Sequence, residues 1–330
     1  MSKKTLLKII QYIVFLGLGV GIIYYMSSQL SDEEKTEMVN AIKGVRIGWL
    51  VPIFIAGFLS HLFRALRWKL LMEPLNIRPT TLNTTAAVLI GYIANLFIPR
   101  AGEVAKCTVL ARYENVPADK MIGTIVAERA FDVLSLVTVT TIAFLLQADI
   151  IGSYATNLLS AISAKSNTIF IAIGALILLI IVLVVLYRRM GDTKIGQFIK
   201  GLGDGVKSIF KLKKRGLFLL YTVLLWFTYW IQVVFGFWSM PALEHLSGLT
   251  ALITLIFGSI GMIATQGGIG AYTYLVADIL NTYGIDKAYG QAFGWVSWAV
   301  QTGIILILGL ASILFIMNRK RRNAQVKADN

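Results

Sequence analysis

Apolar residues come in long runs along this chain, separated by short polar or charged stretches. The clearest runs are Leu6–Met26, Trp49–Phe63, Met121–Leu146, Thr168–Tyr187, Gly216–Met240 and Tyr289–Met317. A helix of about 20 apolar residues crosses the ~30 Å hydrocarbon core of a bilayer. Backbone polar groups find no water there, so these runs are expected to be helices. A transmembrane barrel would alternate apolar and polar residues over ~10-residue segments, and the sequence has no such alternation. The pattern predicts an all-α fold, a polytopic integral membrane helical bundle.

Two regions are apolar but too short to cross. Asn83–Ile98 and Val104–Tyr113 flank the break Pro99-Arg100-Ala101-Gly102-Glu103, and Ala251–Thr265 and Ile269–Leu280 flank Gln266-Gly267-Gly268. Charge decides how they are threaded. Lys3, Lys4 and Lys8 hold the N-terminus in the cytoplasm, and the acidic loop Ser27–Arg46 then lies outside. If Asn83–Ile98 crossed fully, Arg188–Arg215, with nine Lys and Arg, would be external. Read as re-entrant hairpins (about 83–113 and about 250–281), the two regions leave 23 of the 31 Lys and Arg cytoplasmic. That bias is the positive-inside rule. It places both termini in the cytoplasm. Leu6–Met26 lacks a small-x-small cleavage site and reads as a retained span rather than a signal peptide.

Sliding the chain on itself by 167 residues aligns its two halves. Pro74 meets Pro241, Gly91 meets Gly258, Ile93 meets Ile260, and Pro99 meets Gln266 at the hairpin tips. The expected organisation is a first repeat over 1–166, a second over 167–318, and a basic cytoplasmic tail, 319–330, expected to be disordered. With three spans plus one hairpin per repeat, an odd number of crossings inverts the second half relative to the first. Inverted repeats with broken helices build many transporters, whose sites lie near the bilayer midplane. The alternative is that the hairpins merely fill the bundle, their glycines serving close packing.

Composition narrows the chemistry. The chain is 57% hydrophobic and 15% charged, its net charge is +14, and its mean hydropathy is +0.73. The positive charge belongs to the loops, so nucleic acid is not an expected partner. One cysteine, Cys107, and two histidines, His61 and His245, make a structural metal site improbable. There is no Walker pattern, no Gly-x-Ser-x-Gly elbow and no His-Glu-x-x-His. No cofactor and no catalytic residue is assigned, and the chain is expected not to be an enzyme.

Charges inside the membrane carry the functional reading. They are Arg100, Glu103 and Lys106 around the first tip, and Glu128, Arg129 and Asp132 in the next span. Intramembrane charges cost ~2.5–3.5 kcal/mol each on insertion scales, so they usually pair and line a pathway. A purely structural ion network is the alternative. The second tip is neutral and offers Gln266, Gly267, Gly268, Gly270 and Tyr272. Both polar linkers, Ser27–Arg46 and Lys194–Arg215, read as amphipathic, the latter as an interfacial helix or else a solvated loop.

The run Gly91-Tyr-Ile-Ala-Asn95-Leu-Phe-Ile-Pro99-Arg100-Ala-Gly102-Glu103, the following Glu128-Arg129-x-x-Asp132, the preceding Arg64-x-x-Arg67-Trp68 and the later Gln266-Gly267-Gly268-Ile269-Gly270 belong together. Jointly they resemble the flippase-like membrane domain of lysyl-phosphatidylglycerol synthases, the multiple peptide resistance factors. The resemblance covers essentially the whole chain. It implies a lipid translocator in a bacterial-type cell (inner) membrane, moving a phospholipid or polyprenyl-linked headgroup between leaflets. It also implies that the soluble aminoacyl-transfer activity of full-length synthases is absent. In that family the second hairpin often reads Pro-Gly-Gly with a glutamate shortly after; here Gln266 and Tyr272-Thr273 stand in those places. On this reading an anionic or polyprenyl-phosphate headgroup meets Arg100 or Arg129, while Arg64 and Arg67 collect headgroups at the cytoplasmic mouth. The alternative is a non-transporting subunit that partners a cell-envelope lipid- or glycan-modifying enzyme.

Overall fold

The computed structural model describes residues 17, 19–98, 101–114, 116–147, 209 and 212–328. Their regular structure is helical, with no strand among the described residues. The chain divides into two compact units. One comprises Met1–Ile122 with Lys214–Asn330, and the other Gly123–Lys213.

In the first unit, residues 19–28 are helical. Helix α1 (Asp32–Lys43) follows, opened by a capping box. The Ser31 hydroxyl accepts from the Glu34 backbone N–H, and the Glu34 carboxylate accepts from the Ser31 N–H at 2.7 Å. That second bond holds the Glu34 carboxyl below its ordinary range. Helix α1 fits the amphipathic reading of the Ser27–Arg46 linker. Its counterpart Lys194–Arg215 falls largely outside the described residues, as does the expected span Thr168–Tyr187.

Helix α2 (Leu50–Met72) is longer than the apolar run Trp49–Phe63 that announced it. No Gly or Pro interrupts the chain after Gly57, so the ladder continues through Arg64, Arg67 and Lys69. It stops where Pro74, which has no N–H to give, enters a 3-10 turn, Glu73–Leu75, closed by Asn76 at φ 58°. The two arginines therefore stand within this helix rather than after its end.

Next come α3 (Thr81–Phe97) and α4 (Ala101–Glu114), then α5 (Ala118–Leu146), which runs on into the second unit. The first unit resumes with α6 (Arg215–Ser239), α7 (Gly248–Ala264), a 3-10 turn at Gln266–Gly268, α8 (Ala271–Asn281) and α9 (Lys287–Ala328). Helix α9 continues to Ala328, so the expected disorder of the tail does not extend over those residues. The stretch has no Gly or Pro, and prolonging an existing helix avoids a nucleation step.

Four described helical stretches are long and apolar enough to cross a membrane: Ile47–Leu75, Lys120–Leu146, Arg215–Ser239 and Lys287–Asn318. Helices α3 and α7 are apolar but have only 17 residues each, and both their starts and their ends lie 167 positions apart. The ends of α2 and α6, Met72 and Ser239, share that offset.

Helices α2 and α6 run antiparallel. Arg46, before α2, pairs with Glu244, beyond α6, at 2.6 Å, and Glu73, after α2, pairs with Lys214, before α6, at 2.7 Å. Helices α3 and α4 are antiparallel too. Glu114 at the end of α4 accepts from the Thr80 N–H and hydroxyl and from the Asn83 amide at 2.7–2.9 Å. Around α6 to α9, Val234, Phe237, Leu243, Val276, Leu280 and Phe293 form a buried cluster. Lipid tails are as apolar as these side chains, so tight packing rather than escape from water holds such a cluster together.

Candidate functional site

A band of polar side chains runs through the first unit. It begins on one face of α2, where Gly57, His61, Arg64 and Trp68 recur at helical spacing. His61 is 1% exposed, Arg64 7% and Arg67 not at all. The Arg64 guanidinium donates to the Tyr229 hydroxyl of α6 at 3.2 Å and lies 5.9 Å from the Tyr92 ring of α3. Arg67 lies 5.7 Å from the Phe218 ring. Both arginines are buried among protein side chains.

The band continues into the α3–α4 pair. The Lys106 ammonium, 5% exposed, sits 4.5 Å from the centre of the Trp68 ring. A cation over an indole face is a favourable contact, more so out of water. It gets there because α3 and α4 touch backbone to backbone. A β-carbon on Gly91 would stand 2.8 Å from the Gly102 carbonyl oxygen and 3.1 Å from Lys106 Cβ. The Gly102 N–H, unpartnered within its own helix's first turn, donates to Asn95 Oδ1 at 2.7 Å.

Asn95 also links the two tips. Its backbone carbonyl accepts from the Gln266 side-chain amide at 2.7 Å. Beyond Gln266, the Gly267 carbonyl accepts from the Trp298 indole at 2.8 Å. Gly267, Gly268 and Gly270 all have φ of 61–74°, a region that side chains with a β-carbon rarely adopt. Tyr272 packs under this tip against Gly258 and hydrogen-bonds Ser297. The structure thus joins Arg64, Asn95, Gly102, Lys106, Gln266, Gly267 and Tyr272 into one continuous region, with Arg67 at its α2 end.

The profile of the lysylphosphatidylglycerol synthase TM region family matches residues 9–309. The chain belongs to that family. A relative, the UPF0104 membrane protein PH1989 of Pyrococcus horikoshii, is 24% identical over 299 residues, covering 79% of this chain and 84% of its own. No solved structure matches. Family and apolar helices together make this a multi-pass membrane protein.

Other sequence-picked residues of this family member stand elsewhere. Pro99 and Arg100 lie outside the described residues. Glu103 is half-buried on α4. Glu128, Arg129 and Asp132 belong to the second unit. There Glu128 is fully buried, and Arg129 faces Asp132 one turn on at 3.8 Å, an ion pair too long for a hydrogen bond. Among the described residues no group of His, Cys, Asp or Glu is arranged to hold a metal. Sequence reasoning passed over His61, Tyr92, Tyr229 and Trp298. The available signal for His61 was its place one turn before Arg64 in an apolar run.

The side chains gathered in this region are mostly hydrogen-bond donors. Guanidinium, ammonium, amide and hydroxyl groups are donors, and guanidinium suits phosphate oxygens through its planar fork.

Proposed function

We propose that this protein moves lipids bearing an anionic phosphate, as phospholipid or polyprenyl phosphate, between membrane leaflets. The observation that carries the reading is a buried row of basic side chains: Arg64 and Arg67 on the long apolar helix α2 and Lys106 on α4 run up to a point where two short helix pairs meet. Charged groups at such depth are expensive and usually serve a pathway. Two short pairs meeting tip to tip leave irregular backbone at depth, as in transporters built from broken helices.

In this reading α3–α4 and α7–α8 are re-entrant hairpins in two inverted repeats, and both termini are cytoplasmic. Three observations support it. The boundaries of α3 and α7 recur at the 167-residue offset. The offset-matched helices α2 and α6 run antiparallel, as an in-plane two-fold axis requires. Seventeen helical residues span ~25 Å at 1.5 Å each, enough to pass mid-bilayer without crossing. On this reading the protein binds and releases its lipid without making or breaking a bond.

The test is reconstitution into liposomes with a panel of fluorescent lipids, scored for leaflet exchange. Phosphate-bearing lipids should exchange, and Arg67→Leu should slow them. A well-folded protein that exchanges none, yet copurifies with a stoichiometric envelope enzyme, would overturn the proposal in favour of a non-transporting subunit. Cysteines at His245 and Ala324 test the topology. The first should label from outside and the second only after permeabilisation; the reverse result removes the cytoplasmic assignment of the termini, and labelling of both from one side removes the re-entrant reading of α7–α8.

A further inference from the structure

The two short pairs break at matched places. Ile98 ends α3 at φ −131° and ψ 116°, and Thr265, its match at the 167-residue offset, ends α7 at φ −129° and ψ 165°. Both conformations are extended, so both chains leave their helices at the same step. The residues that follow differ: Pro99 in the first half, Gln266 in the second. A helix end leaves its last carbonyls without donors from its own ladder. In α3 the Ile98 N–H donates to the Ala94 carbonyl at 2.9 Å, and the next donor, due to the Asn95 carbonyl, would come from position 99. Proline there has no N–H to give. The donor that reaches Asn95 is instead the Gln266 side-chain amide, at 2.7 Å, from the other half of the chain. The residue matched to the proline thus supplies what the proline withholds.

Gln266 is held so that it can do this. Gly267 beside it turns at φ 61°, and its carbonyl accepts from the Trp298 indole at 2.8 Å, which ties the second tip to α9. On the receiving side, Asn95 Oδ1 accepts from the Gly102 N–H at 2.7 Å, so the residue that Gln266 caps is also one that joins α3 to α4. We propose that Gln266 is a positioning residue for transport: by capping the Asn95 carbonyl it sets where the α3–α4 pair stands against the second tip. The pair is closed by its own backbone contact at Gly91 and Gly102, so it needs a partner for its place rather than for its shape. The role in transport rests on the translocator reading; the bond between the halves does not.

Melting of the full chain in detergent tests the bond. Gln266→Leu should lower the melting temperature by about 2–4 °C at pH 8 and pH 5 alike. Gln266→Glu keeps the shape but, ionised at pH 8, turns an acceptor toward a carbonyl, and should lose at least as much. A neutral carboxyl carries an O–H that can donate to Asn95, and burial favours that form. The folded state therefore gains from protonation, and at pH 5 Gln266→Glu should regain about half of its loss relative to the unaltered protein. No loss in either variant, or the same loss in both at both pH values, overturns the proposal. In liposomes, Gln266→Leu should slow exchange of labelled phosphatidylglycerol about fivefold at either pH, and Gln266→Glu only at pH 8. Variants that melt as expected yet exchange like the unaltered protein would make Gln266 a purely structural residue, and the positioning role is then wrong. Recovery of melting at pH 5 without any exchange by the unaltered protein would sink the translocator reading and leave the bond between the halves standing.

Discussion

The two short helix pairs, α3–α4 and α7–α8, are alike in length and differ in what holds them. The first closes on itself. Glu114 gathers three donors at its base, Gly91 and Gly102 touch in its middle, and Asn95 takes the Gly102 N–H near its tip. The second is shaped more from outside. Its tip carbonyl at Gly267 is held by Trp298 of α9, its Gln266 amide reaches to Asn95, and Gly270 abuts the Gly19 carbonyl. At its base Asn281, which matches Glu114 at the 167-residue offset, turns to the Ile285 carbonyl instead of bridging to α7. A self-closed pair keeps its shape when it moves; a pair held by neighbours changes shape when they do.

The largest contrast should come from the matched glycines. Gly91→Val drives a side chain into the Gly102 carbonyl, which cannot give way, at about 3 kcal/mol. Gly258→Val meets the Tyr272 ring, which can turn, so its loss should be about 1 kcal/mol. Melting temperatures in detergent read the difference, and equal losses would erase the distinction between the pairs. Next is the base. Glu114→Ala leaves three donors without their carboxylate and should cost about 2 kcal/mol, while Asn281→Ala should cost under about 1.

Trp298→Phe removes a single bond, about 1 kcal/mol, but its signature is spatial. Hydrogen exchange should rise at 265–271 and stay unchanged at 91–103. A rise in both would mean that the tips are one rigid piece. The smallest expected difference is at the caps. Thr80 and Ser247 both cap their helices, but the Thr80 hydroxyl also donates to Glu114, so Thr80→Ala should cost somewhat more than the about 1 kcal/mol of Ser247→Ala by the same melting measurement. Equal losses would mean that the Thr80–Glu114 bond adds nothing to the closure of the first pair.

Much of this arrangement was legible in the sequence. Apolar run length marked the spans, and Pro74 and Pro241 sit just past the ends of α2 and α6. The breaks around 99 and 266 separated the limbs of the short pairs. What was hidden depends on burial rather than pattern. A hydropathy window ends at the first charge, so Arg64 and Arg67 read as loop residues, although nothing in the backbone stops the helix there. Gln266 was picked for its position, but its partner, the carbonyl of Asn95, is a backbone atom that no residue pattern reveals. His61 looked like an isolated polar residue until α3 brought Tyr92 over it.

The ion pairs at the two ends of α2 and α6 have a consequence for assembly. Their side chains are about a third to more than half exposed, and pairs of that kind add little stability. Each helix is preceded by a cation and followed by an anion: Arg46 and Glu73 for α2, Lys214 and Glu244 for α6. Both arrangements oppose the helix's own dipole. Laid parallel, the two would bring cation to cation and anion to anion; laid antiparallel, every charge meets its opposite. These four residues therefore favour one mutual direction of two hydrophobic rods that lipid alone would not tell apart.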